Sequence, residues 1–214
     1  MTVRGGARNY VEKIIAQLAD ARKSTPVKQI KRSAKSVQII TATDTENFEK
    51  VILASHSDQA LALLAEPTAT EDAALRAIAY QPNRCVLHTD AALMPARRRA
   101  WAAWNYRQVN DSTGKRPVAL TYWMNRLQPL PFSTQLFETL NPPVEPAKQT
   151  VIAEFEYSHP LLNVDAIAAQ SKIRALQGEN HTYYAGAWLA NGFHEDGLQS
   201  ALSVVKQIEA INKS

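Results

Sequence analysis

The sequence predicts an α/β chain in which two end segments of alternating helix and strand enclose a mixed, mostly antiparallel sheet. Three observations predict it. Residues 1–65 read as helix, hairpin, strand, helix. The chain returns to the same grammar from about residue 165. Between them, from Glu66 to His159, lie nine of the 11 prolines and three of the four tryptophans, scattered among separate β-like runs.

After Gly5-Gly6, Tyr10 or Val11, Ile14 or Ile15, and Leu18 recur at helical spacing and predict an amphipathic helix. A turn at Ser24-Thr25-Pro26 leads into Val27–Lys31, and Ser36–Thr41 follows a short polar break. The two runs read as a hairpin. Lys50–Ala54 is a buried strand, and Ser55-His56-Ser57 turns the chain into a helix over Asp58–Ala65. In the middle, Arg84–His88, Arg99–Tyr106, Val118–Met124 and Val151–Tyr157 are rich in β-branched and aromatic residues and read as strands. The proline-rich stretches 129–131 and 142–146 are loops. A helix over Asp165–Leu176 and a strand at Tyr183–Ala185 then precede a last helix from about Asp196, which repeats apolar residues at Leu198, Leu202, Val205 and Ile208.

Composition narrows the function. A chain of 214 residues with 45% hydrophobic and 21% charged content holds one or two domains and buries a real core, which excludes disorder. The single cysteine, Cys85, excludes an internal disulfide framework and multi-cysteine zinc or iron–sulfur sites, and it suits a reducing compartment. No apolar run approaches the roughly 18 residues that span a bilayer. The opening MTVRGGARNY lacks a signal-peptide core, so the expectation is a cytoplasmic chain without an integral membrane segment. Residues 1–36 carry nine Lys and Arg against Glu12 and Asp20, a local +7 within a total of +4. Such a patch attracts phosphate or is simply solvated surface. The seven glycines are about half of average usage, and no Gly-x-Gly-x-x-Gly occurs, which excludes a self-contained dinucleotide-binding fold.

The stretch from His181 to Ala201 carries the strongest chemical signal. A strand runs into Gly186, where a missing side chain permits close approach of a ligand, and Gly192 and Gly197 bracket a helix start. Unpaired N–H groups at that helix N-terminus hold negative charge, unless Glu195 or Asp196 caps them itself; spacing leaves both readings open. Other signals are weaker. The five histidines show no metal-ligand spacing, Cys85 reads as an inert buried thiol, and no Gly-x-Ser-x-Gly elbow is present. Arg97-Arg98-Arg99 with Trp101, Trp104, Tyr106 and Arg107 has the composition of a single-strand nucleic-acid platform, but it also fits a charged lead-in to a strand. No nucleic-acid partner is expected.

Several segments, taken in order, resemble flavin-containing amine oxidases and their phytoene-desaturase-like relatives. They are Val3–Val11, Pro26–Ile30, Val51–Ala54, and Tyr184-Ala185-Gly186 through His194-Glu195-Asp196-Gly197-Leu198. Tyr80–Arg84, His88-Thr89-Asp90, Tyr122–Leu127 and Gly192–Gly197 are similar to bacterial FAD-dependent oxidoreductases of that superfamily. The likeness covers nearly all of this chain and only the back half of such a protein. It implies FAD as cofactor, with the main chain of Val27 on the adenine, Gly186 beside the ribityl and diphosphate portion, and Glu195 presenting an N–H to the flavin pyrimidine edge. Gly197 belongs to the same cofactor-contacting segment. His194 then faces the flavin or is a cap-region side chain. Ala187-Trp188 follows Gly186 where many relatives have an acidic or hydroxyl residue. Arg84 stands where amine oxidases have a lysine near the flavin N5; it orients an anionic substrate or is a surface arginine.

The expectation is therefore a partial, discontinuous FAD-binding domain, residues 1–56 and 166–214, around a substrate domain, 57–165. The implied reaction is hydride transfer from a small organic substrate to FAD. Trp101, Trp104, Tyr122, Trp123 and Phe132 favour an apolar or lipid-like substrate. The alternative is a truncated or split, non-catalytic fragment that serves as an interaction module, with a separate chain supplying the missing nucleotide-binding half.

Overall fold

The computed structural model describes residue 3, residues 5–108 and residues 118–213. Met1 and Arg4, both in the opening segment read above, lie outside the described residues. In chain order the elements are α1 (Arg8–Ile15), β1 (Gln29–Arg32), β2 (Val37–Ile40), β3 (Thr45–Phe48), β4 (Val51–Leu53), α2 (Ser57–Leu63), α3 (Ala69–Arg76) and β5 (Tyr80–His88). They continue as β6 (Trp104–Gln108), β7 (Val118–Trp123), α4 (Met124–Leu127), β8 (Phe137–Leu140), β9 (Val151–Pro160), α5 (Val164–Ala175), β10 (Thr182–Tyr184) and α6 (His194–Asn212). The chain divides into two units, Met1–Ala21 with Pro82–His159 and Arg22–Gln81 with Pro160–Ser214.

The second unit contains an antiparallel meander, β1-β2-β3, with Gln29 opposite Ile40 and Val37 opposite Phe48. Its other sheet is parallel and has two strands, β4 and β10, paired through Val51–Thr182 and Leu53–Tyr184. Ile30, Val37, Leu53, Leu75, Ile173 and Tyr184 form the core between these sheets and helices α2, α3 and α5. One ion pair crosses it. The Arg32 guanidinium forks onto Glu71, and its second amino group also donates to the Glu66 carbonyl at 2.7 Å. Glu71 accepts further bonds from the Thr68 N–H and from the Tyr184 hydroxyl at 2.9 Å. Thr68 in turn accepts from the Glu71 N–H, so the same residues cap α3 reciprocally.

The first unit is built on a five-stranded sheet in the order β6-β7-β8-β5-β9, with the β6/β7, β7/β8 and β8/β5 pairs antiparallel. Its two faces differ. One is dry and holds Val86, His88, Ala119, Thr121, Phe137 and Thr139. There the Asp90 N–H donates to His88 Nδ1, which puts the ring proton on Nε2, and Nε2–H donates to Thr139 Oγ1 at 2.8 Å. Thr139 and Thr121 share a hydroxyl bond at 2.9 Å, which satisfies the interior of this face. The opposite face carries Trp104, Tyr106, Tyr122, Glu138 and Leu140.

The expected α/β architecture is present, with local differences. The predicted strand Arg99–Tyr106 begins only at Trp104; Arg98–Ala100 is a 3-10 turn. Trp101 drives that change, because its ring packs edge-on against Trp123 and Phe137 while Nε1–H donates to the Pro95 carbonyl at 2.7 Å. The first helix stops at Ile15, and none of its residues is buried. Helix α3 and strands β3 and β8 are additional elements.

Removing either member of the Arg32–Glu71 pair strands a buried charge, so Glu71→Ala is expected to lower the unfolding free energy by about 3–5 kcal/mol in chemical denaturation. Burial pushes the Glu71 carboxyl up, but Arg32, the Thr68 N–H and Tyr184 together hold it below its ordinary 4.5. A carboxyl lowered on folding stabilises fully above its unfolded value and loses that contribution as pH falls through the folded one. Acid titration of stability should therefore show a drop starting near pH 4.5 that is missing from Glu71→Gln.

Candidate functional site

In the second unit, β4 and β10 run parallel and end side by side, and residues following both ends are tied together. The Trp188 indole N–H donates to the Ser55 carbonyl at 3.0 Å, beyond the end of β4. Crevices at the carboxyl ends of parallel strands are where α/β folds bind ligands. Beyond β4, His56 stacks on Tyr80 with ring centroids 4.4 Å apart, and Tyr80 Oη accepts from the Ser57 N–H. Beyond β10 lie Gly186, a short turn over Ala187–Leu189, and α6.

Five of the residues expected to meet a cofactor or its substrate belong to this unit. Val27 precedes β1 and packs its side chain against the core, and no hydrogen bond of its amide or carbonyl is recorded among the described residues. Gly186 is different. Its N–H donates to Ser200 Oγ at 2.9 Å and its carbonyl accepts from the Leu189 N–H at 3.1 Å, so both main-chain groups are engaged. A Cβ there would stand 2.3 Å from Trp188 Nε1, which makes glycine a requirement of the indole crossing to Ser55. Gly197, in the first turn of α6, lies on Ala187, where an added Cβ would meet ordinary contacts at 3.6 Å and beyond.

Each of the two readings of the α6 N-terminus accounts for part of where the acids reach. Asp196 accepts from the N–H groups of Asn191 and Phe193, in the approach to the helix, and Glu195 accepts from Gln199 one turn on. Asp196 thus caps the helix start through the N–H of the N-cap residue Phe193, while the N–H groups of Glu195 and Asp196 themselves find no acceptor among the described residues. His194 is the first residue of α6 and is exposed.

Arg84 belongs to the first unit. Nη1 forks onto Glu145 at 2.7 and 2.9 Å, while Nε and Nη2 both reach Glu154. An anionic substrate group would compete with two carboxylates for this guanidinium. The sheet face opposite the dry core supplies what sequence reading missed. Glu138 on the central strand β8 accepts from the Cys85 thiol at 3.1 Å, and Tyr122, Leu140, Tyr157 and His159 border a cavity of about 390 Å³ beside it. Burial, then the Glu138 carboxylate, pushes the Cys85 thiol up to about 12, so it remains a donor. Phe-Glu-Thr-Leu at 137–140 was too short a run to announce a strand, although its alternation is visible.

The two glycines should separate on substitution. Gly186→Ala is expected to cost about 1–3 kcal/mol through overpacking against Trp188. Gly197→Ala should be neutral or stabilising by up to about 1 kcal/mol, because alanine replaces glycine inside a helix. Thermal melts of both variants check the pair.

No family model and no curated protein matches the sequence. Solved structures do. A conjugated-linoleic-acid-producing fatty acid isomerase from P. acnes is 16% identical with a TM-score of 0.64, covering 94% of this chain and 52% of its own. A protein from Exiguobacterium sp. 255-15 assigned as a protoporphyrinogen oxidase is 14% identical with a TM-score of 0.62, covering 96% of this chain and 51% of its own. A putrescine oxidase redesigned in its cofactor binding is 9% identical with a TM-score of 0.59, over 95% of this chain and 53% of its own. The chain therefore shares the fold of part of each of these proteins and spans about half the length of the solved structures it matches.

Proposed function

We propose that this chain is the substrate-binding half, with part of the cofactor site, of an FAD-dependent oxidoreductase that removes a hydride from a C–H or C–N centre of an organic substrate. The single observation that carries the reading is the shared carboxyl end of β4 and β10 with the helix start that follows it. Two parallel strands more than a hundred residues apart in sequence end together, and the first turn of α6 follows with the Glu195 and Asp196 N–H groups open. That chemistry suits a polar, negatively charged ring edge.

The residues present fit the group the sequence resemblance implies. The free main chain of Val27 would hold the adenine, and the Glu195 N–H would hold the pyrimidine edge. Gly186 offers only close approach, since Ser200 and Leu189 take its polar atoms. When bound, FAD supplies the hydride acceptor; the chain's part is to position it and to favour negative charge at the α6 N-terminus. In this reading residues 1–56 and 166–214 serve the cofactor and 57–165 serve the substrate. His194 and Arg84 are its candidate catalytic residues, Arg84 with the restraint that Glu145 and Glu154 hold it.

A second reading is favoured by the half-length match: a chain that works with a separate nucleotide-binding half. The exposed stripe Leu198, Leu202 and Val205 on α6 supports it, because a helix face of that kind is ordinarily covered.

Glu195→Pro separates function from folding. Proline is tolerated in a helix's first turn and deletes the N–H in question; Glu195→Ala, which loses the same side-chain bond from Gln199 but keeps the N–H, is the control and should bind FAD like the parent chain. Titrating the chain with FAD while recording the flavin's visible absorption should show a bound spectrum for the parent chain and about tenfold or more weaker binding for the variant. A parent chain that leaves the flavin spectrum unchanged at saturating FAD defeats self-sufficient binding, and equal affinities defeat the Glu195 assignment.

A further inference from the structure

Strand β6 forms one edge of the five-stranded sheet, and its outer side is unpaired among the described residues. The Trp123 N–H donates to the Ala103 carbonyl at 2.9 Å, and hydrogen-bonded and non-bonded pairs alternate along antiparallel strands. Asn105 and Arg107 therefore turn their main-chain groups toward β7. Trp104 and Tyr106 turn theirs outward, where none finds a donor or acceptor among the described residues. Side chains divide the same way. Trp104 and Tyr106 are 55% and 62% exposed on one face, and Arg107 stands exposed on the other, opposite Ala119 of the dry face.

A cavity of about 670 Å³ adjoins this edge. Asn105, Tyr106 and Arg107 line it together with Leu93, Met94 and Trp101, and no acidic residue does. The charge around it is positive. The Arg98 guanidinium lies 4.7 Å over the Trp101 ring, and Arg97 and Arg99 flank it on the same exposed turn. None of these three, nor Arg107, forms an ion pair among the described residues. An open strand edge is a template for another strand, and a basic one repels a second copy of itself while admitting an acidic strand. Trp101 is no platform for a nucleic-acid base, because its ring is packed against Trp123, Phe137 and Arg98. The outward donors and acceptors of Trp104 and Tyr106 match a polypeptide edge instead.

We propose that the outer edge of β6 captures an extended acidic segment of a partner protein, which adds a strand to the sheet. The side chains of that segment alternate, with acids on the face of Arg98 and Arg107 and apolar residues on the face of Trp104 and Tyr106. The proposal does not rest on the oxidoreductase reading.

Anisotropy of a fluorescein-labelled, capped Val-Glu-Val-Glu-Val-Glu peptide reads the capture by the full chain. The peptide should bind saturably, and at least about tenfold more tightly than its Val-Lys counterpart or a Val-Val-Val-Glu-Glu-Glu peptide of the same composition. Pairing along one edge uses every second amide, so N-methylating one of the two alternating sets should abolish binding while N-methylating the other spares it. Arg107→Gln, at an exposed position, should narrow the preference over the Val-Lys peptide without lowering the melting temperature. Equal binding of the Val-Lys or block peptide, equal effects of the two N-methylated sets, or an unchanged preference in Arg107→Gln would each overturn the proposal. So would tighter binding of oligothymidylate than of the acidic peptide, release of the peptide as the chain self-associates, or the absence of saturable binding. Because no flavin takes part, the outcome is independent of the FAD titration.

Discussion

The second unit depends on one buried ion pair. Arg32 sits at the end of β1, Glu71 in the first turn of α3, and Tyr184 at the end of β10. These segments are distant in sequence and are fixed to one another by a carboxylate that serves a guanidinium, a backbone amide and a phenol at once. A strand of three residues with one neighbour has little reason to hold its place. Strand β10 holds because Tyr184 is anchored from its side chain and also along its outer edge. There Gln177 Oε1 accepts from the Tyr184 N–H at 2.8 Å and its amide donates to the Tyr184 carbonyl at 2.7 Å. A glutamine side chain thus supplies both bonds a neighbouring strand would make. Such edge satisfaction also removes a template for unwanted pairing.

The geometry beyond β10 follows from that anchoring. Once Tyr184 is fixed, Ala185 pairs onward to Leu53, and Gly186 reaches Ser200 on α6. The helix start is therefore registered to the strand end by hydrogen bonds. Gly186 has a structural cause in Trp188, whereas the open amides at Glu195 and Asp196 have no internal use. That contrast moves the weight of a ligand argument from the glycine to the helix turn.

Much of the fold was legible in the sequence because it rests on local pattern. The hairpin of β1 and β2, the apolar β4, and helices α5 and α6 follow from period and from turn residues such as Ser24-Thr25-Pro26. What escaped was non-local or too short for periodicity. Helix α3 carries a Thr68-x-x-Glu71 capping box, a signal present in the sequence but overshadowed by the nearby prolines. Strand β6 starts late because Trp101 is pulled into an aromatic cluster formed by residues far along the chain. The Glu145 and Glu154 partners of Arg84 lie some 60 to 70 residues away, and no spacing rule reports a pair that distant. Glu138 and its aromatic flanks are likewise brought together only by strand order.

The first unit shows how one sheet separates stability from recognition. Its dry face places a histidine and two threonines where apolar residues would do, yet each finds a partner: Asp90 fixes the His88 tautomer, and His88, Thr139 and Thr121 form one chain of bonds. Burial, opposed by Asp90, lowers the His88 pKa, so the neutral ring is the form this face accommodates. That closed side supplies most of the sheet's burial, with Cys85 buried on the other face. Exposed Trp104, Tyr106, Phe155 and Tyr157 are then surplus to folding, and leaving such rings in water forgoes hydrophobic stabilisation at every one. Random surface drift explains a single exposed ring but not four on one sheet face with an acid at the centre strand. These rings therefore lie outside the packing that holds the sheet together.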